Sequence, residues 1–376
     1  MGYIIDNFEI QCPPEARRAV IEDSIFIKNR QTTAGSEILK GFMSPIDATV
    51  VSRLQAKDVK IIGKSRMDEF GISGLFADEL VETSGAVTAV ACGAADFALC
   101  NDYTGFTAQQ AAACGLCYVQ PTYGSVSRYG LVHTVSSMDQ IGIVCRSPAE
   151  GYHVLSIISG YDHNDGVMYT DSHKADERVC KTVGIPVNVV NQMTNKSMIY
   201  DFAKGYKIIE FELCLFEVFK QVMQILCCAE LGANLSRYDG ISFGYRAEDF
   251  KDVEELYLKS RAEGFGENAK LASILSVLLL SQENYMHYYD KAMRIRRIIK
   301  ESLEFDKYDL IVMPAVSFIS NGSQEKRTDR RLELQALSRL CGLPSLTVPF
   351  ADDALTLIAD ANRESILFSA LHAERQ

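Results

Sequence analysis

The sequence predicts a layered α/β fold. Two observations carry that prediction: short β-branched runs alternate with longer stretches of helical periodicity, and no period of twenty to fifty residues repeats along the chain. A third is composition. With 47% hydrophobic and 23% charged residues, the chain has ordinary globular proportions rather than those of a disordered polymer. At 376 residues it is long enough to bury a substantial core. No Pro-, Gly- or Ser-rich linker interrupts it, so residues 1–376 read as one domain carrying a polar surface excursion at 163–177.

Asp47 to Lys60 places apolar residues at helical spacing, and Ile61-Ile62-Gly63 then reads as a buried strand that delivers Lys64 at its end. Thr88 to Leu99, rich in Ala, Val and Cys, suits a tightly packed helix. Further helices are expected at Phe211 to Asn234, Asp249 to Lys259 and Asn268 to Leu303, the last broken near Ser281. Tyr308 to Pro314 and Leu346 to Pro349 look like strands stopped by proline.

Charge and cysteine usage narrow the function classes. A formal net charge of −11 argues against bulk attraction to phosphate backbones. Eleven unevenly spaced cysteines do not make a disulfide framework, and Met1-Gly2-Tyr3-Ile4 does not open a signal peptide. The most apolar run, Leu271 to Leu280, is about half the length a bilayer span needs. A cytoplasmic protein without a membrane partner is expected. No GxGxxG or GxxxxGK[ST] occurs, the six histidines form no HxxxH pair, and the Cys114–Cys117 CxxC lacks a second pair at zinc-like spacing. Neither cofactor nor metal is therefore expected. The basic run Lys291, Arg294, Arg296, Arg297 and Lys300 reads as the solvated face of an amphipathic helix, leaving nucleic acid at most an indirect partner.

Three blocks, Thr32 to Ile72, Pro121 to Pro148 and Arg237 to Gly266, resemble the amidase signature family. Within it they are most similar to the A-type amidotransferase component that hydrolyses glutamine for tRNA-dependent amidation. The resemblance implies a mixed central β-sheet covered by helices on both faces, with most of the family's N-terminal helical region missing. It also implies B- and C-type amidotransferase subunits, or another protein, as partners. Members of the family use a lysine, a bridging serine and a nucleophilic serine. The resemblance places the lysine in Gly63-Lys64-Ser65-Arg66-Met67-Asp68-Glu69-Phe70, making Lys64 the candidate base.

The serines are where the chain departs. Counting back without gaps from Pro121-Thr122-Tyr123-Gly124, Asp102 and Gln109 fall on family counterparts, Phe106 falls on the nucleophile and Glu82 on the bridging serine. Phenylalanine offers no nucleophile. A glutamate beside Lys64 is expected to form an ion pair that keeps the lysine protonated. Slipping the register by one residue instead makes Thr107 the nucleophile and Thr83 the bridging hydroxyl, at the cost of bulky Phe106 where glycine would allow close backbone approach. The arginine that the resemblance implies for a substrate α-carboxylate is replaced by Leu271 and Ala272, and the aspartate for its α-amino group falls near Leu332 or Glu333, of which only Glu333 could substitute. The expectation is a catalytically impaired amidase-like protein with a binding or regulatory role; the alternative is an active amidase using Lys64, Thr83 and Thr107.

Overall fold

The computed structural model describes residues 2–8, 13, 15–76, 83–168, 178–193, 195–242, 244–316, 318–319, 328–329 and 331–372. Glu82 and residues 169–177 of the expected excursion lie outside them. The strands are β1 (Ile4–Asn7), β2 (Arg18–Glu22), β3 (Lys60–Ser65), β4 (Phe97–Asn101), β5 (Cys117–Gln120), β6 (Ile141–Cys145), β7 (Thr182–Pro186), β8 (Lys207–Phe211), β9 (Leu310–Pro314), β10 (Phe318–Ile319), β11 (Thr328–Asp329), β12 (Ser345–Phe350) and β13 (Asp353–Ala359). The helices of the first half are α1 (Thr49–Gln55), α2 (Ser73–Phe76), α3 (Gly85–Ala91), α4 (Phe106–Ala113), α5 (Pro148–Ile158), α6 (Val187–Val190) and α7 (Ser197–Phe202). Those of the second half are α8 (Phe219–Leu235), α9 (Val253–Gly264), α10 (Glu267–Leu280), α11 (Tyr289–Glu301), α12 (Arg331–Cys341) and α13 (Glu364–His372).

Among the described residues eleven strands form one mixed sheet in the order β1-β3-β2-β4-β6-β5-β12-β13-β9-β7-β8. Its central strands are buried on both faces, which is why they read as continuous apolar runs rather than alternating ones. Along β9, Leu310 and Val312 enter one apolar cluster while Ile311 and Met313 enter another. That two-residue alternation puts packed side chains on both sides of the sheet. Burial of each such side chain contributes roughly 1.5–3 kcal/mol, so a charge at Val312 would break the layer. Among the described residues no helix is long and apolar enough to cross a membrane.

Two expected helices are corrected. Thr88 to Leu99 is not one helix: α3 ends at Ala91, Gly93 takes a left-handed backbone at φ 82°, and Phe97–Asn101 becomes β4. Glycine at that conformation stops the helix, and Phe97 to Asn101 then pair antiparallel with β6. Similarly, α8 starts only at Phe219, because Lys207–Phe211 lies parallel to β7 as an outer strand. The expected break near Ser281 separates α10 from α11.

One part of the topology positions the site. Strands β3, β2 and β4 run parallel, with Ile21 opposite Lys64, Glu22 opposite Ser65, and Ile21 opposite Leu99. Their carboxyl ends therefore present Glu22, Lys64–Ser65 and Asn101 along one edge, and β6 next to them runs the other way. Open α/β sheets place their crevices at such carboxyl ends.

Candidate functional site

A pocket of about 150 Å³ opens at that edge, and its wall includes Glu22, Arg66, Asp68, Thr83, Asn101, Asp102, Thr104, Phe106, Thr107 and Gln110. Glu22 reaches it from the end of β2, where an apolar run ends in two acids. The side chain is only 2% exposed. Its Oε1 accepts from the Ser24 hydroxyl at 2.6 Å and from the Asn101 amide at 3.0 Å. Burial pushes this carboxyl up to about 8; the Ser24 and Asn101 hydrogen bonds oppose the rise, and the negative charges of Asp68 and Asp102 add to it. Asp68 is also raised, first by burial and then by Asp102, against the Ser73 amide that donates to it at 2.8 Å. At neutral pH Glu22 is thus a largely protonated carboxyl beside a cavity.

The opposite wall is the start of α4. Asp102 accepts the Thr107 amide at 3.2 Å and the Ala108 amide at 2.9 Å, while the Phe106 amide donates to the Thr104 hydroxyl at 3.3 Å. All three amides of the first turn are therefore engaged within the protein. Asp102 is in turn paired with Arg339 from α12 at 3.2 Å, both fully buried, and Arg339 is held by Gln335 at 2.8 Å. Gly105 allows this closeness: with φ at 82°, a Cβ there would lie 2.2 Å from the Gln335 Cβ. The Ser84 amide donates to Gln110 Oε1 at 2.8 Å, tying the start of α3 to α4. That contact brings Thr83 and Thr107 into one pocket wall.

Lys64 lies behind this wall, not in it. Its ammonium forms an ion pair with Asp23 Oδ1 at 2.8 Å and donates to Thr32 Oγ1 at 2.7 Å and to the Gln31 carbonyl at 2.9 Å. An ammonium has three N–H donors, and three close acceptors surround this one. The side chain is fully buried. Burial lowers its pKa, and the adjacent Asp23 carboxylate works against that fall. The other Asp23 oxygen, Oδ2, accepts from the Thr33 amide at 3.0 Å and from the Thr33 hydroxyl. All three donors of the ammonium are thus engaged by groups of the segment between β2 and β3.

The remaining sequence-derived positions separate. Asp102, Phe106, Thr83 and Thr107 meet at the pocket, and Gln109 is buried in α4 beside it. Leu271 is 41% exposed on α10, Ala272 is buried in the core, and Glu333 is buried on α12; none of the three lines the pocket. Glu82 lies outside the described residues, and the carboxylate seen against Lys64 is that of Asp23. The sequence reading missed Glu22, Asp23 and Arg339. The signal for the first two was present, since Ala19-Val20-Ile21 is a strand-like run that hands on to Glu22-Asp23 as Ile61-Ile62-Gly63 hands on to Lys64. Among the described residues no group of three His, Cys, Asp or Glu side chains could hold a metal ion.

Known proteins share both the sequence pattern and the fold. The family model described as Amidase matches residues 19–76 and 83–367. The chain is 33% identical to the A component of the glutamyl-tRNA(Gln) amidotransferase of Wolinella succinogenes, with 100% of this chain and 91% of that protein covered. It is also 33% identical to the protein of the same name from Nitratiruptor sp., covering 93% and 87%. Its fold matches the crystal structure of the corresponding amidotransferase component from Thermotoga maritima with a TM-score of 0.74 at 24% identity, over 98% of this chain and 85% of that one. The peptide amidase of Stenotrophomonas maltophilia gives a TM-score of 0.72 at 21% identity, covering 95% and 81%.

Proposed function

The chain belongs to the amidase family, and we propose that within it this is an amidotransferase-A-like protein that binds a ligand without hydrolysing an amide. The observation carrying this reading is the α4 start, where the amides of Phe106, Thr107 and Ala108 are engaged by Thr104 and Asp102. Acyl transfer needs a nucleophile, a base in reach of it and free donors for the oxyanion. Here Phe106 occupies the expected nucleophile position, and Lys64 is enclosed by Asp23, Gln31 and Thr32. Loss of a nucleophile from such a cooperating set costs on the order of a millionfold in rate.

A partner surface fits the same reading. Leu271, Ile274, Val277 and Leu278 of α10 are 41%, 67%, 75% and 52% exposed, an apolar face suited to a partner protein. B- and C-type amidotransferase subunits are the proposed partners by analogy with the relatives' names. A reducing, cytoplasmic setting accords with the described cysteines, all of which are free thiols. A second reading, an amidase using Lys64, Thr83 and Thr107, is favoured by one observation: both threonines line the pocket. Steady-state hydrolysis of glutamine and simple primary amides by the wild type and Thr107→Val separates the two. The binding reading expects no turnover above buffer in either; turnover that disappears in Thr107→Val overturns it.

A further inference from the structure

The geometry points to a site for a small alkylammonium ligand in the pocket between β2 and α4, with Glu22 as its principal counter-charge. This rests on the proposal that the pocket binds rather than hydrolyses, and it names the ligand class. Glu22 is 2% exposed, and its carboxyl is fixed in orientation by Ser24 and Asn101, both on Oε1. The second oxygen, Oε2, accepts no hydrogen bond from the described residues, and Glu22 is part of the pocket wall. A buried carboxyl with one oxygen anchored and the other unengaged beside a cavity is built to receive a donor.

The rest of the wall selects the kind of donor. Asp68 adds a second carboxyl, of which Oδ2 accepts the Ser73 amide. Asp102 adds little net charge, because Arg339 neutralises it. Arg66 also lines the wall and opposes a cation, so the counter-charge an ammonium needs comes from ionising Glu22. Thr104 and Thr107 bring hydroxyls, while Phe106 and Met67 supply apolar surface for a short carbon chain. A volume of about 150 Å³ limits the occupant to a few heavy atoms. A metal ion is the poorer fit, since among the described residues no three ligating side chains converge.

Binding is coupled to a proton. Around Glu22 stand Asp68 and Asp102 at the pocket, Lys64 behind it already paired with Asp23, and Cys100 and Tyr118, both raised well above their ordinary values and so neutral. An incoming ammonium keeps its own protons, Glu22 releases one to solvent, and the ion pair forms. Affinity therefore rises with pH up to about 8, where Glu22 ionises unaided.

The test is calorimetric titration of the full chain with n-propylammonium, and with 1-propanol as a neutral match of the same shape, at pH 6, 7 and 8. Expected are saturable propylammonium binding, affinity rising by up to about tenfold per pH unit, proton release seen in buffers of different ionisation enthalpy, and no propanol binding. Glu22→Gln keeps the size of the side chain and is expected to weaken binding about tenfold or more. Asp68→Asn should also weaken it, and serves if Glu22→Gln folds poorly. Equal binding of propanol and propylammonium, a flat pH profile, or full affinity in both variants overturns the inference. Amide turnover lost in Thr107→Val would overturn the non-hydrolytic reading separately, leaving the titration interpretable.

Discussion

Replacing Glu22 by Gln should change how stability depends on pH. In the unfolded chain Glu22 ionises near 4.5, and in the folded protein only near 8. Between those values the folded state holds a proton that the unfolded state has released, so folding stability falls as pH rises, by ~1.4 kcal/mol per pH unit. The full span caps the loss attributable to this one group at roughly 5 kcal/mol, complete once pH exceeds about 8. Glutamine cannot ionise, and its carbonyl can still accept from Ser24 and Asn101. The assay is urea denaturation of wild type and Glu22→Gln at pH 5 and at pH 8.5. The stability of the variant relative to wild type should increase by several kcal/mol between the two conditions. Asp68 is raised in the same direction but is common to both proteins, so it cancels in the comparison. Parallel pH profiles would refute the reasoning, because they would mean that Glu22 is already ionised when folded.

Three further outcomes are expected. Lys64→Met leaves the buried Asp23 carboxylate unpaired and should destabilise by about 3–5 kcal/mol; chemical denaturation should show the double variant Asp23→Asn/Lys64→Met losing much less than the two single losses together. Gly105→Ala forces a Cβ into the Gln335 side chain at a left-handed backbone position, and its thermal unfolding should report a loss of at least about 2 kcal/mol. Phe106→Ser puts a hydroxyl at the expected nucleophile position, yet glutamine hydrolysis should stay at the buffer rate because the α4 amides remain engaged; turnover there would show that one substitution suffices.

What the sequence made legible was local. Apolar runs announced β3, β9 and β12, and the break at Ser281 was visible as a change of composition. The resemblance carried the family and brought Asp102, Phe106, Thr83 and Thr107 to one place. Ambiguity entered where one composition suits two structures. The Ala- and Val-rich stretch after Thr88 packs equally well as helix or buried strand, and only pairing with β2 and β6 decides for β4. The polar partnerships were illegible for another reason. Lys64 and Asp23 lie 41 residues apart, and Arg339 and Asp102 lie 237 apart. No local pattern signals such pairs, since they arise only when strand ends and a distant helix are packed together. The Lys64–Asp23 pair is therefore visible only in the fold.

The non-hydrolytic reading requires that no activated hydroxyl exist in this pocket, and a reactive probe answers that question in one step. A small alkyl fluorophosphonate phosphonylates hydroxyl nucleophiles that a neighbouring base and free amides have activated. The intact mass of the full chain would be measured before and after prolonged incubation. An unchanged mass is predicted, with Thr83 and Thr107 unmodified. A stoichiometric adduct mapped to Thr107 would contradict the reading and establish a working threonine amidase.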